Sequence, residues 1–532
     1  MFASGFLIAI LSYLVFSLGL LGLLDKSLLS SLLILFLLGI FFAFIIESKI
    51  NLRKFYLFLL KDKLSLVFFG LLVFSVLVNL IGVFGPELSF DALWYHLTLP
   101  KMYLSFGRIR FIPGGLLYYS AAPQFTEMLY LAGLATNLAF LPKLMHFLFG
   151  TASVFLIYKL FRQFTDIRKS VAVSLLIYST LLVGWLSISA YTDLALLFYV
   201  LLGFLALIYW KKGIKGNWLI EAALFFGVAL AIKLTAGQII VAVLITLLIT
   251  RQRFKDFVIF GLFSLIPVLP WLSRSYLLTG NPVYPYATSW FFKSQSAGLS
   301  LSQWLHSRTP INFLKAVWGL VFTNSDILSP LLLITLPLLI IGIYKNKLQE
   351  KFSFFFGIIL GLGFLFWFLT PLNYNRFFLP LLPIYFLEVF FVIKKLRLKK
   401  IYLTVCAFIL ITTSFVNLAF RSIANAKYLP YLLTKESERS FMKKNLNFNA
   451  GNFYDLDGQV NKLTEGKKVL VDGIHNQYYL NIDYFDINDH LKGQTFDYIL
   501  ASFEADEKYR FLPLVYRNRI SKVSLYKAKI IF

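Results

Sequence analysis

Two carboxylates, Glu87 and Asp91, stand in the stretch Phe84-Gly-Pro-Glu-Leu-Ser-Phe-Asp-Ala-Leu-Trp-Tyr-His-Leu-Thr-Leu-Pro100, followed at once by Trp94, Tyr95 and His96. The stretch begins where the apolar run Leu64 to Val83 ends. Tyr and Trp favour the headgroup level of a bilayer. A carboxylate at that level is hydrated enough to ionise and near enough to meet a lipid head. Asp91 is therefore expected at the chemical centre of a membrane enzyme acting on a lipid-linked substrate. Glu87, four residues earlier, either caps the following segment or takes a direct part. His96 with Asp91 has the makings of a divalent metal site. The chain holds 5 His, with no second one nearby, so no cofactor is expected and a metal stays the alternative.

A second acid, Asp193, lies in Ile188-Ser-Ala-Tyr-Thr-Asp-Leu-Ala-Leu at the start of a predicted helix. Helix capping and the helix dipole favour a carboxylate there, and a substrate-facing role predicts the same placement. Three cations complete the set. Lys233 falls between two short apolar runs in Gly227-Val-Ala-Leu-Ala-Ile-Lys-Leu-Thr-Ala-Gly237. An ammonium inside a bilayer costs roughly 2.5–3.5 kcal/mol, so it needs a partner, a task or a snorkelling route. Arg274, in Pro270-Trp-Leu-Ser-Arg-Ser-Tyr, and Arg376, in Leu372-Asn-Tyr-Asn-Arg-Phe-Phe-Leu-Pro380, belong to segments expected at the same membrane face. Together the three suit a phosphate or pyrophosphate head, which Arg can grip with two parallel hydrogen bonds. Tyr95 and His96 are expected to line the same site.

The elements that position these residues follow from composition. Of 532 residues, 59% are hydrophobic and 14% charged, against ~45–50% and ~25% in soluble domains. Apolar runs recur at bilayer-spanning length. About 13 spans are expected, near 6–24, 28–47, 64–85, 137–161, 170–188, 193–210, 218–232, 236–250, 256–273, 327–344, 353–370, 377–393 and 401–419. The first run lacks a basic flank and a small-residue cleavage site, so it is expected to be a retained helix.

The net charge of +25 sits mostly in short segments between apolar runs, namely 48–63, 162–169, 211–217, 251–255, 345–351 and 394–400. That is a topology signal and argues against a nucleic-acid partner. It places the N-terminus in the cytoplasm and the C-terminus outside. The lone Cys406, in an apolar run, permits no internal disulfide.

Two long outer loops result, 86–136 and 274–326. In the first, the pieces Trp94 to Phe106 and Gln124 to Ala135 are too short to span and are expected to lie in the interface. The second holds the turn Gly280-Asn-Pro-Val-Tyr-Pro285, then Trp290 to Trp304. Residues 1–420 thus form a transmembrane domain and 421–532 a small extracytoplasmic α/β domain. Strands are expected at 467–472, 496–501 and 522–526, and helices at 435–446 and 504–515. That domain has no Gly-rich phosphate loop and is assigned no nucleotide.

Five features carry a resemblance: the acidic first outer loop, Tyr191-Thr-Asp-Leu-Ala-Leu-Leu-Phe198, Gly227-x5-Lys-Leu-Thr235, Arg274-x5-Gly-Asn-Pro-Val-Tyr-Pro285 and Arg376-Phe-Phe-Leu-Pro380. They resemble the GT-C superfamily of membrane glycosyltransferases, in style the lipid A aminoarabinose transferases and the protein O-mannosyltransferases. The resemblance implies a polytopic helical fold in the cell (inner, cytoplasmic) membrane with an outer-leaflet site. It implies a polyprenyl-phosphate-linked sugar donor and a lipid, glycan or protein acceptor, as in lipopolysaccharide modification. The first outer loop in that superfamily often carries an adjacent acidic pair. Here Ala92 follows Asp91, which leaves Glu87 or Asp193 as the second acid. The implied reaction is inverting, with Asp91 as general base and Lys233, Arg274 and Arg376 on the leaving phosphate.

Three other readings compete. A transporter or flippase of a lipid-linked sugar needs polar residues along several helices, and few stand there (Glu221, Lys233, Glu388); no internal repeat is evident either. A surface-polysaccharide polymerase or ligase would carry other loop motifs. A membrane scaffold would leave three outer-face cations unexplained.

Overall fold

A computed structural model describes residues 1–48, 52–113, 115–286, 307–322, 331–344, 351–370, 374–396, 400–489 and 493–531. The expected piece Trp290 to Trp304 lies outside the described residues.

Among the described residues, eight helices are long and apolar enough to cross a membrane, or nine when Phe254–Leu265 and Leu269–Thr279, bent by 58°, count as one. The bend falls at Pro267 and Pro270, which remove backbone donors and clash with the preceding turn. The hub is the helix Asp193–Lys211, which packs on Leu141–Arg162 and Trp218–Ile232. Its apolar window is 89% buried, against 11% for Lys26–Glu47 and for Ile401–Ala426. A helix apolar on every side belongs either in a core or in lipid, and here packing sends one each way.

Several of the 13 expected spans are shorter or broken. The 170–188 run divides into Ile167–Tyr178 and Leu181–Leu186, where the Thr180 hydroxyl accepts from the Val183 amide. Runs 218–232 and 236–250 are short helices separated at Lys233. The 377–393 run begins as the short helix Asn375–Phe378 and straightens only from Leu382, after Pro380.

One expectation for the first long loop is overturned. The 124–135 piece is a helix, Phe125–Ala135, but it does not lie open at the interface. Ten of its residues, from Phe125 to Gly133 and Ala135, are buried, and it packs against Phe2–Leu20, Lys26–Ser48 and Thr98–Phe106. It is apolar nearly all round, so one exposed face would cost more than full enclosure.

The C-terminal region opens with the helix Lys400–Ala426, packed on Lys63–Val83, and the capped helix Glu438–Asn445. A five-stranded sheet follows in the order β2-β1-β3-β5-β4. Its strands are β1 (Val469–Asp472), β2 (Tyr484–Asp486), β3 (Thr495–Ser502), β4 (Leu514–Asn518) and β5 (Val523–Ile531). β1 runs parallel to β2 and β3, while β5 is antiparallel to β3 and β4. The expected helix at 504–515 is instead a single turn, Asp506–Tyr509, leading into β4. Pro513 blocks helix propagation, and the open edge of β5 captures the residues beyond it.

The sheet domain folds back onto the first long loop. Lys101 Nζ donates to the carbonyls of Tyr478 and Leu480 and to Asn481 Oδ1, each at 2.7 Å. The Tyr479 hydroxyl donates to the Glu87 carbonyl at 2.8 Å, and Arg110 pairs with Asp489 at 2.9 Å.

Candidate active site

Asp91 immediately precedes the π-helical turn Ala92–His96. Its Oδ2 lies 2.9 Å from a guanidinium nitrogen of Arg376, with both side chains about 15% exposed (16% and 15%). The Asp91 amide donates to the Tyr191 hydroxyl at 3.2 Å. Asp193 Oδ1 accepts from Lys233 Nζ at 2.9 Å. Asp193 is 1% exposed, and its Oδ2 has no hydrogen-bond partner among the described residues. Arg376 lies within electrostatic reach of Asp193 as well as Asp91, so acids and cations alternate through the site. Arg376 also faces the rings of Tyr191, Tyr374 and Phe377 at 5.3, 5.4 and 5.5 Å, and Lys233 Nζ lies 4.5 Å from the Phe377 ring centre.

Helix breaks aim these side chains. Lys233 terminates Trp218–Ile232 with extended backbone, φ −153° and ψ 122°, which turns it out of the helical path. Arg376 rides the short helix Asn375–Phe378, anchored by Asn375 Nδ2 to the Gly319 carbonyl at 2.8 Å. Trp367 Nε1 braces it through the Tyr374 carbonyl at 3.0 Å.

Asp193 does not cap its own helix. The Leu194 amide donates instead to His146 Nε2 at 2.9 Å, while His146 Nδ1 lies 2.9 and 2.7 Å from the Leu186 and Ser189 carbonyls. Those partners assign a neutral imidazole with the proton on Nδ1. His146 thereby leaves the Asp193 carboxylate to Lys233.

Glu87 is committed to backbone. Its Oε1 accepts from the Leu88 and Ser89 amides at 2.9 and 2.8 Å, and its Oε2 from the Ala190 amide at 2.7 Å. It ties the Asp91 loop to the segment just before Asp193. Lys143 Nζ, 1% exposed, donates to the Gly82 and Gly85 carbonyls at 2.7 and 2.8 Å, closing the end of the preceding helix.

His96 pairs with Glu127 rather than Asp91, Nδ1 to Oε1 at 2.6 Å. Among the described residues no group of three or more His, Cys, Asp or Glu side chains gathers as a metal-binding cluster. Tyr95 lies between the His96 ring at 4.1 Å and the stacked Tyr119 ring at 4.2 Å. Burial and the Asp91 charge hold the Tyr95 and Tyr191 phenols well above their usual range, so both remain hydrogen-bond donors. Arg274 is not brought to the acids. Its described partners are the Ser120 carbonyl, at 2.8 Å, and Tyr103.

The structure therefore joins Asp91, Asp193, Lys233 and Arg376, with Tyr95 alongside. Tyr191, Glu127, His146 and Lys143 enter the site or its supports without having been singled out from sequence. A signal existed for Glu127, a lone acid in an apolar stretch, and for Tyr191, two residues before Asp193 in a quoted motif.

A family model described as dolichyl-phosphate-mannose-protein mannosyltransferase matches residues 123–273. No curated protein matches the sequence. Among solved structures, ArnT from Cupriavidus metallidurans in the apo state aligns at 13% identity over 86% of this chain and 97% of that one, with a TM-score of 0.55. The same protein bound to undecaprenyl phosphate aligns at 14% identity over 86% and 98%, with a TM-score of 0.56. The chain has the ArnT-like fold, with its small C-terminal sheet domain. Both kinds of relative expected from the motifs are found, the mannosyltransferase family model over 123–273 and the ArnT fold over most of the chain.

Proposed function

We propose that this chain moves a sugar from a polyprenyl-phosphate donor to an acceptor hydroxyl at the outer face of the cell membrane, with inversion. The observation that carries the reading is the chain of acids and cations, Asp91–Arg376 and Asp193–Lys233, joined through the reach of Arg376 to both acids. ArnT, of the same fold, has been captured with undecaprenyl phosphate, which supports a lipid phosphate as the ligand of Arg376 and Lys233.

In the proposed reaction the donor phosphate draws Arg376 from Asp91. The freed carboxylate takes the proton of the attacking hydroxyl, a general-base contribution of ~10²–10⁴-fold. A bond forms from the acceptor oxygen to the anomeric carbon as the bond to the phosphate oxygen breaks on the opposite face. Its electron pair leaves on the polyprenyl phosphate, where Arg376 and Lys233 meet the added charge. Asp193 holds Lys233 in place and Glu87 fixes the Asp91 loop. Tyr95, with His96 behind it, walls the site, and Arg274 steadies the turn that carries Tyr119. The N-terminus is assigned to the cytoplasm and the sheet domain to the outside.

The test uses the purified chain in nanodiscs with synthetic undecaprenyl-phosphate sugars, following release of undecaprenyl phosphate and its binding by native mass spectrometry. Wild type binds and releases the lipid phosphate. Asp91→Asn binds it without turnover, and EDTA leaves wild-type turnover unchanged. A wild-type chain that neither binds nor releases undecaprenyl phosphate defeats the reading. Loss of turnover in EDTA, restored by a divalent cation, would bring back the metal alternative.

A further inference from the structure

The sheet order is β2-β1-β3-β5-β4, so the chain leaves β1 toward β2 and leaves the neighbouring parallel strand β3 toward β4 and β5 on the opposite side. In open parallel sheets that reversal creates a crevice outside the carboxyl ends of the strands, where ligands bind. Here the loop after β1 begins Gly473-Ile-His-Asn476, and the one after β3 begins Phe503-Glu504. This end of the sheet faces the membrane domain. The His475 ring lies 4.7 Å from Phe90 and 4.5 Å from Trp94, on either side of Asp91 in the chain. Asp91 and Glu504 are the carboxylates whose charges reach His475.

The His475 loop is tightly held. At Gly473, φ +73°, an added Cβ would come within 2.4 Å of Ser502 Oγ, and one at Gly451 within 2.8 Å of His475 Cβ. His475 Nδ1 lies 2.8 Å from Asn476 Oδ1, and Asn476 Nδ2 donates to Asn452 Oδ1. Below His475 the aromatic surface continues. Trp94 meets Tyr118 at 5.8 Å and Tyr119 at 5.2 Å, and Trp94, Tyr118, Tyr119 and His475 are all only half-buried.

We propose that this half-buried aromatic surface beside Asp91, joined there by His475 of the C-terminal domain, is the acceptor subsite and takes a sugar ring of the acceptor. The C–H-rich face of a pyranose stacks on aromatic rings, while its hydroxyls need hydrogen-bonding groups at the rim. Trp94, Tyr119 and the His475 ring supply the faces, and the carboxylates of Asp91 and Glu504 supply the rim. A bare acyl chain would find no use for that rim. The assignment of this sugar as acceptor rests on Asp91 being the base of the proposed transfer.

The test is saturation-transfer NMR on the full chain in nanodiscs, with methyl α-D-glucopyranoside, methyl α-D-mannopyranoside and methyl α-D-galactopyranoside as probes. At least one glycoside should show saturation of its ring C–H protons. Trp94→Ala and His475→Ala should each lower that signal at least about fivefold, the scale of one lost ring contact. His475→Phe, which keeps the ring face, should recover it. Both His475 variants should still bind undecaprenyl phosphate, the check that the membrane domain is folded. Absence of saturation in wild type, or equal saturation in wild type, Trp94→Ala and His475→Ala, overturns the subsite. Glycoside binding without any undecaprenyl phosphate binding would leave the sugar site standing and remove the glycosyltransferase reading.

Discussion

Two groups of largely buried ionisable side chains share one end of the helix bundle and use their hydrogen bonds in opposite ways. Glu87 and His146 Nε2 accept from backbone amides, Lys143 and His146 Nδ1 donate to backbone carbonyls, and so these three hold loops and helix ends together. Asp91, Arg376, Asp193 and Lys233 are paired side chain to side chain. Burial alone separates nothing here, since Glu87 is 5% exposed and Asp193 1%. What separates them is the partner. A charge committed to backbone leaves only if the loop comes apart, whereas an ion pair between side chains can be traded for a substrate anion at little structural cost.

The sharpest way to break this contrast is to neutralise one acid from each group. Asp91→Asn should lower sugar transfer by ~10²–10⁴-fold while the unfolding midpoint stays near wild type. Glu87→Gln should lower the midpoint first, because three amides face a poorer acceptor. A Glu87→Gln chain with a native midpoint and no turnover would place Glu87 among the reacting groups.

Next in size is Lys233→Met, which strands Asp193 as a buried uncompensated charge, a loss of ~3–5 kcal/mol in denaturant titrations. Adding Asp193→Asn should restore most of that stability without restoring turnover. Recovery of turnover in the double variant would mean that Lys233 serves only to neutralise Asp193. Lys143→Met should cost less, ~1–3 kcal/mol for carbonyls left without their donor, with normal activity in the folded fraction.

The smallest effect is a pH dependence at the junction between the sheet domain and the first long loop. Burial lowers the His475 imidazole below its ordinary range, opposed by Asn476, Asp91 and Glu504. The undocked state therefore binds more protons as pH falls below the usual imidazole range, so docking is strongest above that range and weakens toward acid. Hydrogen-exchange protection in the segment from His475 to Asp489, taken relative to the intrinsic exchange rate at each pH, should fall between about pH 7 and pH 5, and the change should vanish in His475→Phe. An unchanged acid response in that variant would assign the effect to another group.

Much of the fold was legible because bilayer crossing is a local demand. Uninterrupted apolar length locates Phe2–Leu20, Lys63–Val83 and Lys351–Leu369, and β-branched runs locate β1, β3 and β5. Local pattern misleads where a neighbour decides. Phe125–Ala135 reads as interfacial by length but is enclosed by neighbouring helices. Residues 504–515 read as helical until Pro513 and the free edge of β5 are brought together. In the site, the types Asp91, Asp193, Lys233 and Arg376 were legible as unusual charges at apolar boundaries, but their pairing was not. Arg274 carried the same signal and turned away to the Ser120 carbonyl.

Sequence by itself determined a many-helix membrane protein with a small α/β domain at its end, and the short list of charges that its apolar runs could not absorb. Tertiary structure alone decided which of those charges meet each other, which are spent on backbone, and that His475 arrives beside Asp91 from the far end of the chain. The reason is range: crossing a bilayer is settled within about twenty consecutive residues, while a partner is settled by where helix breaks such as the one at Lys233 point a side chain across the fold.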